Sequence, residues 1–135
     1  MVGIDTEEQD KGVIIAHGVI CHIEFPTTDA EKTRTFYEEV FGWTFSTAPG
    51  FDTYPMFRDP SGVGGAFNGD PKGGTPSQTG PIVHIEVENI DATLKQIEQA
   101  GGKTMTPKTK ISEEYGSFAV FLDNVGNRLG MWSSE

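Results

Sequence analysis

The sequence predicts an α+β domain built from two tandem βαβββ modules whose strands form a cupped mixed sheet. Three observations carry that prediction. His-Ile-Glu followed by an apolar residue is written twice, from His22 and from His84. Each copy runs into a helical pattern. An Asp-x-x-Gly turn then recurs, at Asp59 and at Asp123. Two copies of one unit account for all three, and repeats of this kind fix an architecture before any local assignment is made.

The elements follow in order. Residues 1–15 read as a polar N-terminal tail, and the first module spans 16–68. Strand-like alternation from Ile20 puts Ile20, His22 and Glu24 on one face and Cys21, Ile23 and Phe25 on the other. Thr28 and Glu31 have the spacing of a capping box. The helix they open aligns Thr33, Phe36, Tyr37, Val40 and Phe41, and Gly42 suits its end. "WTFST", "DTYPMFRD" and "VGGAF" supply three short strands. Residues 69–80, rich in Gly, Pro, Ser and Thr, form a linker. The second module, 81–135, starts over: Ile82, His84 and Glu86 oppose Val83, Ile85 and Val87. Its helix covers about 90–100, with Asp91 taken as the counterpart of Asp29, and buries Ile90, Leu94 and Ile97. "KTMTP", "SFAVFLD" and "RLGMW" are the last strands, and 108–116 is a polar loop placed where a lid would be. The two modules together make one domain.

One helix covers one face of each set of strands, so the face bearing His and Glu is left open in both copies. Packed together, the two open faces would line a shared cup. Composition narrows what the cup can hold. With 20 acidic and 10 basic residues the net charge is −10, which argues against nucleic acid, whose phosphates need clustered cations. No run approaches the roughly 18 apolar residues of a membrane span. The single cysteine, Cys21, rules out an internal disulfide framework. These features predict a cytoplasmic protein whose partner is a small molecule.

The stretches "CHIEFPTTDAEKTRTFYEEVFGWTF", "GPIVHIEVENIDATLKQIEQAGGKTMTPKT" and "FLDNVGNRLGMW" resemble the vicinal oxygen chelate superfamily, the glyoxalase/bleomycin-resistance/dioxygenase proteins. The resemblance covers about 16–133. It implies the glyoxalase/bleomycin-resistance/dihydroxybiphenyl dioxygenase fold, a homodimer, and in many members a divalent metal held by His or Gln and Glu on the first and last strand of each module. His22 and His84 match the first-strand positions. The last-strand glutamates are missing: Gly130 and Ala66 stand where they are expected. The resemblance therefore implies no metal through the usual positions.

Two His-x-Glu pairs remain. If His22, His84, Glu24 and Glu86 share the cup, they offer two imidazoles and two carboxylates, a set suited to zinc, nickel, manganese or iron, with His22 and His84 as the metal ligands. Without metal, Glu24 and Glu86 are candidate catalytic bases, and His22, His84, Tyr54, Met56 and Arg58 candidate ligand contacts, Arg58 for a carboxylate or phosphate. Trp43, Phe45, Phe118, Phe121 and Trp132 are expected in the core. Cys21 faces away from the cup, and "GVGG" at 62–65 lacks the Lys-Ser/Thr and helix of a phosphate loop. The expected function is small-molecule binding in the cup, either as a lyase, isomerase or dioxygenase relative acting on a carbonyl metabolite or as a metal-free protein that sequesters its ligand.

Overall fold

The structure, a computed structural model, describes residues 17–135. The tail expected over 1–15, and the start of the apolar run that follows it, lie outside the described residues. Ten strands and helices follow: β1 (Ile23–Pro26), α1 (Ala30–Phe41), β2 (Thr44–Ser46), β3 (Met56–Arg58), β4 (Gly64–Asn68), β5 (His84–Glu86), α2 (Ile90–Gln99), β6 (Lys103–Ser112), β7 (Gly116–Leu122) and β8 (Arg128–Ser133). They form two four-stranded mixed sheets, ordered β1-β4-β3-β2 and β5-β8-β7-β6. In each, the first strand lies parallel to the last, and the remaining pairs are antiparallel. Two βαβββ modules in tandem are the architecture.

The helices are capped by other residues than the expected ones, one position later in α1 and two positions earlier in α2. Asp29, not Thr28, caps α1: its backbone is extended and its side chain accepts from Lys32 N. The N3 position is then Lys32, so the capping box with Glu31 does not form. Thr27 Oγ1 instead accepts from Asp29 N at 3.0 Å and pairs with Thr33 Oγ1 at 2.7 Å. Asn89, not Asp91, caps α2 by accepting from Ala92 N. Asn is among the best N-cap residues because its short side-chain oxygen reaches the orphan amides of the first turn.

One hydrophobic cluster runs through both modules. It joins Phe36, Tyr37, Trp43, Phe57 and Phe67 from the first to Ile90, Ile97, Phe121, Leu129 and Met131 from the second, with Phe25, Val83, Ile85 and Val87 packed against it. The helix-facing strand residues are thus the ones alternation assigned to the core. Each fully buried Phe or Leu contributes about 1.5–3 kcal/mol relative to exposure. Phe118 and Trp132 depart from expectation. Both are only half-buried, on the sheet face away from the helices, because they alternate with buried Ser117, Ala119 and Met131. The predicted loop at 108–116 also departs: β6 continues through Ser112 and pairs with β7 by way of shifted registers.

Both Asp-x-x-Gly turns close the same way. Asp59 Oδ1 accepts from the backbone of Ser61 and Val63, and Asp123 Oδ1 from that of Val125 and Asn127. Gly62 and Gly126 carry the positive φ, 99° and 102°, that the turn requires. The second turn does more. Asp123, 3% exposed, also accepts from Tyr37 OH at 2.9 Å, while Asn124 Nδ2 donates to Lys32 O and Asn127 Nδ2 to Pro26 O. It pins one module to the other. Burial raises the Asp123 carboxyl pKa above its usual value, against the lowering effect of these donors.

Candidate functional site

Strand register decides which residues of the two modules correspond. Glu24 pairs with Ala66, and His84 with Gly130. Ala66 in turn faces Met56, and Gly130 faces Val120. The helix caps agree, since Asp29 precedes Asn89 by sixty residues, as Thr27 precedes Val87, and these last two donate to Asn68 O and Trp132 O. The repeat is therefore sixty residues through the first strand and helix and sixty-four through the last strands. The "HIE" repeat, spaced by sixty-two, is out of structural register. His22 corresponds to Ile82, and the counterpart of His84 is Glu24. The expectation that the two histidines occupy equivalent places is corrected by these pairings.

With this register each face can be compared between copies. On the helix side the pairs stay apolar: Phe25 with Ile85, Phe57 with Phe121, Phe67 with Met131. The open face diverges. Tyr54, Asn68, Met56 and Arg58 correspond to Phe118, Trp132, Val120 and Leu122. At these four places the first module carries three polar residues and the second none.

The polar wall is organised around Glu24. Tyr54 OH donates to Glu24 Oε1 at 2.8 Å, and Asn68 Nδ2 donates to Glu24 Oε2 at 3.1 Å. Asn68 Oδ1 accepts from Asp70 N, which fixes the amide orientation. Tyr54 has spent its single hydrogen on Glu24, so its oxygen accepts from His22 Nε2 at 3.0 Å. That assigns the proton of His22 to Nε2 and leaves Nδ1 open. The two rings lie nearly parallel, 7° apart, with centroids 6.3 Å apart. Partial burial, then the hydrogen bond and charge of Glu24, push the Tyr54 pKa up to about 12, so it remains a phenol and a donor. Every donor to Glu24 is neutral. Among the described residues its carboxylate has no cationic partner.

Tyr54 reaches this cluster from the loop before β3, not from a strand as expected. Met56 is half-buried beside Ala66, and Arg58 lies at the other end of β3, donating to Gly62 O at 2.9 Å. Across the second module His84 is exposed and its ring lies over Gly130: a Cβ there would stand 3.0 Å from His84 Cγ and nearer still to Cε1 and Nδ1. Glu86 is exposed beside Trp132 and makes no side-chain hydrogen bond among the described residues. Cys21 is exposed and shares a pocket with His22.

The donor set does not fit a divalent ion at these strands. Ala66 and Gly130 bring no ligand atom, the His84 ring occupies the space above Gly130, and Tyr54 engages both His22 and Glu24. Among the described residues no three or more of His, Cys, Asp and Glu form a group able to hold a metal ion, so His22, His84, Glu24 and Glu86 are not gathered into one. Asn68, the fixed partner of Glu24, was not among the residues singled out from sequence. It is the last residue of the first module, directly before the stretch read as linker, and nothing local marks its link to a residue forty-four positions earlier.

Comparisons with known proteins agree with this architecture. Residues 19–131 match the family model described as Glyoxalase/Bleomycin resistance protein/Dioxygenase superfamily. A "Glyoxylase-like domain-containing protein" from Didymella fabae is 30% identical over 126 residues, covering 84% of this chain and 92% of that protein. A glyoxalase/bleomycin resistance protein/dioxygenase family enzyme from Burkholderia phytofirmans superposes with a TM-score of 0.69 at 16% identity, over 85% of this chain and 98% of its own. So does a mutant of the fosfomycin resistance protein FosX from Listeria monocytogenes, complexed with Mn(II) and 1S,2S-dihydroxypropylphosphonic acid: TM-score 0.69, 16% identity, 87% of this chain and 90% of its own.

Proposed function

Because this chain belongs to the Glyoxalase/Bleomycin resistance protein/Dioxygenase superfamily, we propose that it binds a small molecule against the polar wall of the first module, in the cup the two modules build, without the divalent metal many relatives use. The observation that carries this reading is the His22–Tyr54–Glu24–Asn68 network and its absence from the second copy. The second module forms the same sheet with Ile82, Phe118, His84 and Trp132 in the corresponding places, so the fold does not require the network. A polar chain kept on one wall and dispensed with on the other points to a ligand.

Glu24 supplies the main attraction. It is an anion with neutral donors on both oxygens, and a carboxylate has further lone pairs for a ligand N–H, O–H or cation. Tyr54 fixes the rotamer of Glu24 and accepts from His22, whose Nδ1 is left open. The corresponding places on the open face of the second module hold Phe118, Val120 and Trp132, which offer apolar surface and no counterpart of this network. We assign Glu86, Met56 and His84 to the rim of this cup and a homodimer as the assembled form. Sequestration of the ligand is the function this arrangement supports best.

A second reading, proton transfer on a carbonyl compound by a lyase or isomerase, is favoured by one feature. Tyr54, held protonated by its raised pKa, stands beside a carboxylate. Glu24 would take a proton from carbon while Tyr54, exchanging its hydrogen bond to Glu24 for one to the substrate, donates to the neighbouring oxygen. Thermal-shift screening of a metabolite and antibiotic library with chelator present tests both readings. Stabilising compounds are expected to lose most of their effect in Glu24→Gln and in Tyr54→Phe, the residue found at position 118. Hits turned over by the wild type and merely bound by Glu24→Gln would select the enzymatic reading. Hits indifferent to both substitutions would overturn the assignment of the polar wall.

A further inference from the structure

At the far end of the same wall lies a pocket of about 310 Å³, lined by His22, Thr44, Ser46, Met56, Arg58 and the backbone of Gly64 among others. Its volume is at the small end of the range for small-molecule sites. The lining contains no Asp or Glu, in a chain of net charge −10. It contains instead one permanent cation, one imidazole and two hydroxyls. Thr44 and Arg58 are register partners, as are Ser46 and Met56, so these side chains stand on the open face with His22 and not in the core.

Arg58 is held in place. Nη1 donates to Gly62 O at 2.9 Å, its one hydrogen bond among the described residues. The guanidinium lies across Gly64, where a Cβ would stand 3.4 Å from Nη1 and 3.9 Å from Cζ. Even a Cβ at position 64 would only touch the guanidinium at van der Waals distance, so Arg58 lies against this stretch of β4 without crowding. One donor anchors the fork, and the remaining N–H groups are available for an acceptor with two oxygens. The second module again serves as an internal control. Leu122 stands at the Arg58 place, Ile82 at that of His22 and Arg128 at that of Gly64, so the fold imposes neither the arginine nor the glycine.

We propose that this pocket binds a small organic oxyanion, a carboxylate or a phosphate-type group, with Arg58 as the bidentate contact and the Thr44 and Ser46 hydroxyls as donors. This rests on the reading of the first module's open face as the ligand wall, and extends it. His22 links the two ends, so the ligand carries an oxyanion toward Arg58 and a hydrogen-bond donor toward Glu24. A hydroxy- or amino-substituted organic anion meets both requirements.

Calorimetric titration of the full chain with sodium phosphate and, separately, sodium acetate, at ionic strength fixed with sodium chloride, tests the pocket. At least one anion is expected to bind saturably, and the stronger one identifies the group. Arg58→Leu, the residue the second module carries, is expected to weaken binding at least tenfold with its melting temperature little changed. Arg58→Lys should fall between, keeping the charge and losing the fork. Glu24→Gln should leave anion binding intact or tighten it, which separates this pocket from the Glu24 cluster. The proposal fails if neither anion exceeds the chloride control, if Arg58→Leu binds like wild type, or if Glu24→Gln abolishes anion binding as completely as Arg58→Leu. Binding that depends on Arg58 would stand even if library hits proved indifferent to Glu24 and Tyr54.

Discussion

Gly130 and His84 give the sharpest test of the second wall. A methyl group placed on Gly130 would overlap the His84 ring, with Cγ 3.0 Å away and two ring atoms closer. The φ of Gly130 is not positive, so alanine suits its backbone. Without a clash, Gly→Ala at a compatible position stabilises by about 0.4–1 kcal/mol, chiefly by restricting the unfolded chain. Overpacking costs about 1–3 kcal/mol. Gly130→Ala should therefore destabilise the wild type by about 1–2 kcal/mol net, yet stabilise a His84→Ala background. The unfolding entropy of about 2.1 cal/mol/K per residue, over 135 residues, makes 1 kcal/mol about 3–4 °C in melting temperature. The expected pattern is a fall of roughly 4–7 °C in one background and a rise of roughly 1–4 °C in the other, from the same arithmetic. Calorimetry on the four proteins of the cycle reads it directly. A loss of equal size in both backgrounds would refute the contact, and with it the argument that His84 fills the space above Gly130.

Two further outcomes concern the frame that positions the site. Burial raises the Asp123 pKa, so the folded state holds that proton more tightly than the unfolded chain, whose carboxyl titrates near 3.8. Its contribution to stability is thus greatest at low pH and falls as pH rises from that value through the folded pKa. The melting temperature of wild type relative to Asp123→Asn should increase as pH is lowered from 7 toward 4, and a constant difference would contradict a carboxyl buried in the module junction. Gly65→Ala should be far more damaging than Gly64→Ala. Its Cβ would overlap Ile23 O and come within 2.6 Å of Phe57 Cζ, whereas at Gly64 the nearest atom is 3.3 Å away. Losses above about 3 kcal/mol for the first and under about 1 for the second are expected by urea unfolding.

Sequence alone sufficed for the modules, the helix stripes, the helix-facing strand residues and the two Asp-x-x-Gly turns. Each depends on a period or a local hydrogen bond, and those are written in neighbouring letters. It also showed Ala66 and Gly130 in place of glutamates. What it could not determine was which residues of the two copies correspond. Strand alternation has a period of two, so a two-residue shift leaves every side chain on its face while changing every partner. His22 and His84 satisfied that pattern without being equivalent. The Asn89 cap was the one local signal that would have corrected the offset, and Asp91 two residues later concealed it. The polar wall belongs wholly to tertiary structure. Tyr54 and Asn68 come from a loop and a strand end, thirty and forty-four positions from Glu24, and only the pairing of β4 with both β1 and β3 brings their hydrogens to one carboxylate.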